Sequence, residues 1–229
     1  EDEDKWLGWL HIVEEQIRNQ AVFDKLSQTV KEKKLSHAVL LGMGGSSLCV
    51  EVMRQVFGHT AGHPEMLVLD SVVPAQVESV RSQIDPAKTV FIVSSKSGGT
   101  TEPNVLCQYF YDETKKIVGD KVGDHFIAIT DPGSSMEKRA TEWKFGHIFH
   151  GVPSIGGRFS ALSNFGMIPA AVMGLNTKTI LHHAEEMVKA CSASVPPEQN
   201  PGVILGTIMG ALTDEGRDKV TIVASPAIH

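Results

Sequence analysis

Short apolar runs alternate with longer amphipathic stretches from about residue 35 to about residue 150. The apolar runs predict strands near residues 37–41, 65–70, 88–94, 124–130 and 145–150. The stretches between them predict helices near residues 46–57, 73–83, 102–117 and 134–143. Because short strands separated by helices form parallel sheets covered on both faces, the pattern predicts an α/β fold with a parallel five-stranded sheet sandwiched by helices.

The segments on either side of this pattern are predicted to be mainly helical. Residues 1–34 are predicted to form an N-terminal helical arm, with periodicity over residues 4–33 and an apolar face made of Trp6, Trp9, Leu10, Val13 and Ile17. Helical patterns return at residues 162–173, 178–192 and 201–214. The polar linker 194–200 ends a predicted domain at 35–193, and a second domain is predicted to start at 200–229 in truncated form. Its β-branched residues 219–224 predict a strand.

Composition and charge exclude several classes of function. A chain of 229 residues with 41% hydrophobic content can bury a substantial core. The net charge of −6 indicates no broad basic surface for nucleic acid. No apolar run approaches the roughly 18–20 residues of a membrane span, and the acidic N-terminus is unlike a signal peptide. We therefore expect a cytoplasmic protein with neither a nucleic-acid nor a membrane partner.

The cysteines and histidines of the sequence form no recognisable metal site or disulfide framework. Cys49, Cys107 and Cys191 are odd in number and widely spaced within predicted helices, so we expect reduced core thiols. His182 and His183 are adjacent and therefore point in different directions on a helix. Neither a metal nor an organic cofactor is expected.

The turn after the third predicted strand is rich in hydroxyl groups. Residues 94–103, Ser-Ser-Lys-Ser-Gly-Gly-Thr-Thr-Glu-Pro, join that strand to a predicted helix. Hydroxyls, backbone N–H groups and the helix dipole suit a phosphate, and glycines let the backbone curl around an anion. An ordinary polar connecting loop is the alternative. The predicted phosphate ligands in this turn are Ser95, Lys96, Ser97 and Thr100.

A second glycine turn, residues 42–47, follows the first predicted strand with the sequence Gly-Met-Gly-Gly-Ser-Ser. A dinucleotide site would place glycines here and an acid such as Asp70 after the second strand. However, Ser47 stands where the third glycine of that fingerprint belongs. Two hydroxyl-rich turns favour one small phosphorylated ligand held by both turns, with Ser46 as a further phosphate ligand.

Three motifs, taken in order, resemble the glucose-6-phosphate isomerase family. They are Gly-Met-Gly-Gly-Ser at 42–46, Ser-Lys-Ser-Gly-Gly-Thr-Thr-Glu at 95–102 and Gly-Gly-Arg-Phe-Ser at 156–160. The sequence departs from many members at Ser47, where they carry Asp, and at 97–102, where they carry the bulkier Thr-Phe-Thr-Thr-Gln-Glu. The opening Asp-Lys-Trp-Leu-Gly-Trp-Leu of residues 4–10 is similar to the linker of proteins in which a transaldolase precedes this isomerase.

The resemblance implies sugar-isomerase (SIS) domains with flavodoxin-like layers, the first of them at residues 35–193. It implies an aldose–ketose isomerase that interconverts glucose 6-phosphate and fructose 6-phosphate through a cis-enediolate without a cofactor. A homodimer and a transaldolase domain in the same polypeptide are implied as well. Gly45 and Gly157 would contact the sugar, and Arg158 would stabilise the enediolate. The alternatives are a dual phosphoglucose/phosphomannose isomerase and a non-catalytic sugar-phosphate sensor.

No carboxylate in the sequence is an obvious general base. Glu102 follows the phosphate turn, where we expect it to orient Lys96 or to cap the helix start; it is also the carboxylate first considered for catalysis. Asp131 is predicted to be an ordinary turn residue. The resemblance places the glutamate base and the ring-opening histidine and lysine beyond His229. We therefore expect an N-terminal fragment that is inactive alone, with a complete single-domain binder as the alternative.

Overall fold

A parallel five-stranded sheet forms the centre of the fold. The computed structural model describes residues 3–224. Its strands are β1 (His37–Gly42), β2 (Glu65–Leu69), β3 (Thr89–Ser94), β4 (Phe126–Thr130) and β5 (His147–His150). They are all parallel in the order β2-β1-β3-β4-β5. The five strands predicted between residues 37 and 150 and the α/β class are confirmed. The three central strands β1, β3 and β4 are almost entirely buried, as is typical of central parallel strands.

Helices connect successive strands, as the sequence pattern predicts. They are α3 (Leu48–Phe57), α4 (Pro74–Gln83), α5 (Thr101–Val118) and α6 (Ser135–Glu142). One face of the sheet packs against α5 and α6 in a cluster that includes Val39, Phe91, Phe110, Phe126 and Met136. Phe91 stacks on Phe110 and on Phe126, with ring centroids 5.0 Å and 4.9 Å apart. The alternate strand residues are also buried and face the opposite side, so both faces of the sheet are covered.

The N-terminal arm is helical but is not one continuous helix. It consists of 3₁₀ turns at Glu3–Trp6 and Gly8–Leu10, followed by α1 (Ile12–Arg18) and α2 (Gln20–Glu32). The predicted apolar face is wrong except at Val13, because Trp6, Trp9, Leu10 and Ile17 are exposed. The backbone N–H of Gly8 donates to the carbonyl of Ser154 (3.2 Å). The first α-helix starts only at Ile12, after the two 3₁₀ turns, so the apolar periodicity has to be counted from there. The buried stripe is then Ile12, Val13, Gln16, Phe23, Leu26 and Val30.

The segment from Asn164 to Asp214 is mainly helical. It contains α7 (Asn164–Val172), α8 (Thr177–Ala190) and α9 (Pro201–Asp214). Residues 217–224 are not in a strand, so the strand predicted at 219–224 is wrong in this structure. A strand needs a neighbour that accepts its hydrogen bonds, and these apolar residues are exposed instead. Residues 225–229 of the predicted second domain lie outside the described residues.

The described residues divide into two compact units, one ending at Thr177 and the other beginning at Lys178. The first unit contains the sheet and the N-terminal arm, and the second contains most of α8 and all of α9. Within residues 3–224, no helix is both long and apolar enough to cross a membrane. The fold thus places every motif singled out in the sequence within the first unit.

All three cysteines are free thiols, but they are not all in the core. Cys107 is buried and Cys49 is half-buried, and burial raises the pKa of these thiols to about 12 and about 11, respectively. Cys191 is exposed, so the expectation of a core thiol is wrong at this position. It follows the last residue of α8, where Met187 and Lys189 are exposed as well.

Candidate functional site

A cavity of about 870 Å³ opens at the carboxyl ends of the strands. The loops after β1, β3, β4 and β5 line it, together with the N-terminal 3₁₀ turns. This is the edge at which open α/β sheets bind ligands, beside the switch point between β1 and β3. Of the site residues predicted from the sequence, those lining the cavity are Gly45, Ser46, Ser95, Lys96, Ser97, Thr100, Gly157 and Arg158.

Glycine contacts hold two of the three motifs together. A Cβ atom added to Gly45 would lie 2.5 Å from the carbonyl carbon of Gly157 and 2.9 Å from the backbone nitrogen of Arg158. Only a residue without a side chain permits this approach. The hydroxyl of Ser94 donates to the carbonyl of Ser46 (2.9 Å), which ties the first glycine turn to the end of β3.

The backbone of the turn after β3 is held in place by hydrogen bonds from side chains that do not line the cavity. Asn104 donates to the carbonyls of Gly98 (2.8 Å) and Thr100 (2.7 Å). The hydroxyl of Ser135 also donates to the carbonyl of Gly98 (2.7 Å), and Gly98 has a positive φ of 69°. Arg139 in turn donates to the side-chain oxygen of Asn104 (2.8 Å). The turn is therefore held in shape by its own protein contacts.

Two hydroxyl groups in this turn are available to a ligand. Ser95 is only 3% exposed and lines the cavity, and its Oγ has no hydrogen-bond partner among the described residues. An orphaned buried hydroxyl is costly unless a ligand or water satisfies it. Thr100 is the N-cap of α5, and its side chain makes no capping bond. Thr100 and Pro103 both line the cavity, so the positive end of an 18-residue helix borders it.

Lys96 is held beside the cavity by three neighbours. Its ammonium group forms an ion pair with Asp131 and donates to the carbonyl of Pro153 (3.0 Å). It also lies 5.7 Å from the ring centroid of Trp6, which is within cation–π range. The expectation that Glu102 orients Lys96 is wrong, because Asp131 does so. Glu102 lies in the first turn of α5 and is not among the residues that line the cavity.

Asp131 is therefore more than the turn residue expected from the sequence. It follows β4, lines the cavity and pairs with Lys96 through one carboxylate oxygen. The other oxygen, Oδ1, is buried without a hydrogen-bond partner among the described residues. The signal for this role is its position directly after β4, the neighbour of β3 in the sheet. That adjacency is set by the strand order, which the sequence motif alone does not contain.

Arg158 supplies a second positive charge. It lies in the 3₁₀ turn Gly157–Phe159, is exposed, and forms no ion pair with any residue that the structure describes. The adjacent Phe159 stacks on Trp9, with ring centroids 5.9 Å apart. Sequence reasoning missed this aromatic wall of Trp6, Trp9 and Phe159, because its members come together only through tertiary structure.

The cavity combines cations and hydroxyl donors with one carboxylate. Asp131 is the carboxylate that lines it, and that group is paired with Lys96. Among residues 3–224, no group of three or more histidine, cysteine or acidic side chains could hold a metal ion. The donor set suits a phosphorylated anion, but it offers no unpaired carboxylate that could remove a proton from a bound sugar.

The fold and cavity define an open α/β sheet protein with a ligand site at its topological switch point. The family model of phosphoglucose isomerase matches residues 14–220, and the chain belongs to that family. The resemblance inferred from the three motifs is thereby confirmed at the level of the family. The fused transaldolase stays a prediction.

Relatives and solved structures agree with this assignment. The chain is 32% identical over 224 residues to glucose-6-phosphate isomerase of Carboxydothermus hydrogenoformans, covering 93% of this chain and 47% of the relative. It is 28% identical over 235 residues to the Parabacteroides distasonis enzyme of the same name, covering 98% and 52%. The chain thus spans about half the length of the curated relatives it matches.

Two crystal structures resemble the fold. A hypothetical protein of Thermus thermophilus superposes with a TM-score of 0.82 at 25% identity, covering 90% of this chain and 48% of that one. A glucose-6-phosphate isomerase of Chlamydia trachomatis gives a TM-score of 0.62 at 26% identity, covering 76% and 32%. The five-stranded parallel sheet with flanking helices is therefore an arrangement that this family uses.

Proposed function

We propose that this chain supplies the phosphate-binding half of an isomerase that interconverts glucose 6-phosphate and fructose 6-phosphate. The observation that carries the proposal is the convergence of three family motifs on one cavity, which hydroxyl groups of the first two motifs line together with Lys96 and Arg158. The names of the relatives support the choice of substrate.

The phosphate would bind in the turn between β3 and α5. The hydroxyl of Ser95 has no partner among the described residues and that of Thr100 makes no capping bond, while Ser46 and Ser97 border the same space. Lys96 would add a charge-assisted bond while Asp131 keeps its ammonium in place. The sugar would then extend toward Gly45 and Gly157, whose close backbone contact forms that part of the cavity wall.

Isomerisation moves a proton between C1 and C2, and negative charge develops on an oxygen in the cis-enediolate. Arg158, which forms no ion pair within residues 3–224, would stabilise that charge with its planar fork of donors. The general base would come from a part of the enzyme outside these residues, since Asp131 is already paired and Glu102 does not line the cavity. The 229-residue chain alone would then be inactive.

Other features implied by the resemblance stay predictions. They are the division into an arm at 1–34, an SIS domain at 35–193 and a second SIS domain starting at 200–229. They also include the homodimer, the cytoplasmic location and the transaldolase fused ahead of the isomerase.

Assays of the full-length protein with three substrates test the proposal. Fructose 6-phosphate is expected to be converted to glucose 6-phosphate, with no requirement for added metal or cofactor. Conversion of mannose 6-phosphate as well would identify a dual isomerase. Binding of fructose 6-phosphate in calorimetry without any turnover would contradict the isomerase proposal and identify a sensor. Cleavage activity on sedoheptulose 7-phosphate with glyceraldehyde 3-phosphate would reveal a fused transaldolase.

A further inference from the structure

A second cavity lies at the opposite edge of the sheet. It has a volume of about 280 Å³ and opens at the amino ends of the strands, where β3 starts at Thr89 and β5 starts at His147. The length of β3, at about 3.3 Å per residue, separates it from the first cavity by roughly 17–20 Å. The two cavities share no lining residue.

The floor of this second cavity is apolar and its rim is cationic. Leu26, Val30, Val90 and Ile127 are buried and form part of the floor. The charged and titratable groups at the rim are Lys33, Lys121, His125, His147 and Asp124. Lys25 of α2 also acts electrostatically on His147. The two lysines outnumber the single carboxylate, Asp124, so this surface is more positive than the chain as a whole, whose net charge is −6.

The lysines at the rim have no ion-pair partner within the part of the chain that the structure describes. Neither Lys33 nor Lys121 forms an ion pair with any residue that the structure describes. The ring of His125 is anchored by its Nδ1–H, which donates to the carbonyl of Thr89 (3.0 Å), because a carbonyl can only accept. Its Nε2 is therefore the nitrogen left for a ligand, and it becomes a donor when the ring is protonated.

We propose that this cavity is a second anion site that binds a small organic monophosphate. Lys33 and Lys121 line the cavity together with buried apolar side chains, and this combination fits a phosphate attached to a short carbon chain. A volume just below the ~300–1,000 Å³ of drug-sized pockets limits the ligand to a few carbon atoms. Phosphate would contact the two lysines, and the carbon chain would cover Val90 and Ile127.

A proton is taken up when the anion binds. Burial lowers the pKa of His147, and the positive charges of Lys33 and Lys25 lower it further. A bound phosphate offsets those charges and raises the pKa again, so His147 gains a proton at pH values between its free and bound pKa. The contribution of His147 to binding therefore increases as the pH falls through that range.

Calorimetry with glycerol 3-phosphate tests the site. The full-length protein should carry Lys96→Ala, so that binding at the first cavity is weakened. We expect glycerol 3-phosphate to bind and uncharged glycerol not to bind. Lys33→Ala and Lys121→Ala should each weaken binding at least tenfold, since each removes a charge-assisted bond. Lys115→Ala, which removes an exposed lysine elsewhere, should leave the affinity unchanged.

Two outcomes would overturn the proposal. One is equal affinity in the Lys33→Ala, Lys121→Ala and Lys115→Ala proteins, and the other is binding of glycerol as tight as that of its phosphate. A further readout is proton uptake, obtained from titrations in buffers with different ionisation enthalpies. His147→Gln should abolish the uptake attributed to this ring, and unchanged uptake would contradict its place in the site. Lys33, Lys115 and Lys121 are exposed, so circular dichroism should show that their alanine variants are folded. None of these outcomes depends on isomerase activity.

Discussion

The ammonium group of Lys96 has three donor hydrogens, and two of them are already used by the protein. One goes to the carboxylate of Asp131 and one to the carbonyl of Pro153, which leaves one for a ligand. Asp131 thus fixes the direction of the remaining hydrogen, and Trp6 covers the cation from the side. Because the side chain of Lys96 is already held in place, it loses little conformational entropy when an anion binds.

Replacement of Lys96 tests this arrangement. Lys96→Ala removes one charge-assisted bond, which contributes about 1.5–3 kcal/mol, and leaves Asp131 as an unpaired negative charge in the cavity. We expect fructose 6-phosphate to bind the full-length variant at least tenfold more weakly in calorimetry. Lys115→Ala on the exposed side of α5 is the matched control. An affinity equal to that of the control would show that Lys96 does not contribute to phosphate binding.

Arg158 is expected to act on the transition state. In the full-length enzyme, Arg158→Lys keeps the charge but loses the planar fork of donors. The expected result is a lower kcat, with a loss of transition-state stabilisation of about 2–4 kcal/mol and a smaller change in KM. Steady-state kinetics with fructose 6-phosphate measure both constants. If only KM changes, Arg158 binds the substrate ground state and does not stabilise the enediolate.

At the scale of elements, the strand order explains why separate motifs meet. β1 lies between β2 and β3, so the connection through α3 runs in the opposite direction from the connections through α5 and α6. Since such crossovers are right-handed, α3 and α5 leave the sheet toward opposite faces. The turn before α3 and the turn before α5 therefore separate and leave an open crevice between them. The loop after β5 contacts the first of these turns where Gly157 meets Gly45.

The contact between Gly45 and Gly157 is expected to be intolerant of a single methyl group. In Gly45→Ala, the new Cβ would lie 2.5 Å from backbone carbon, so the two loops must move apart. We expect a loss of about 1–3 kcal/mol in the free energy of unfolding, typical of overpacking, and weaker binding of fructose 6-phosphate. Denaturant unfolding and calorimetry measure the two effects.

Gly146→Ala is the control for this substitution, because its added Cβ would lie 3.4 Å from the nearest atom. It should alter stability much less than Gly45→Ala and leave binding unchanged. Equal effects of both substitutions would show that the loops adjust without cost and that the close contact does not shape the site.

At the scale of the whole molecule, the described residues form a ligand cavity without a free carboxylate. The chain spans about half of its curated relatives, and general acid–base groups typically contribute 10²–10⁴-fold each. If this part binds phosphate and stabilises charge as we propose, but lacks the proton-transfer groups, it should bind its substrate weakly and not convert it.

Expression of residues 1–229 alone tests this statement. After circular dichroism has shown that the chain is folded, we expect no measurable conversion of fructose 6-phosphate above background. Lys96→Ala in the same chain controls for nonspecific binding of the substrate. Turnover near the usual enzyme range of ~1–10³ s⁻¹ would contradict the prediction. Asp131 and Glu102 would then be the carboxylates to replace first.

The sequence predicts strongly periodic elements and local motifs well, and tertiary partners poorly. The runs at 37–41 and 88–94 are correct as strands because central parallel strands are apolar on both faces. The face of the arm is wrong because the phase of a helix cannot be extended across Gly8, whose contact with Ser154 is set by the fold. The pairing of Lys96 with Asp131 depends on the adjacency of β3 and β4 and could not be found from either motif.

The aromatic wall of the cavity gives the protein an intrinsic optical reporter. The protein has three tryptophans. Trp6 and Trp9 line the cavity, whereas Trp143 packs against Tyr111 and Arg139 in another part of the first unit. Indole emission depends on nearby charge and solvent, and an anion beside Lys96 changes both at Trp6. Occupancy of the cavity can therefore be followed by fluorescence without a label, and Trp143→Phe would remove the background.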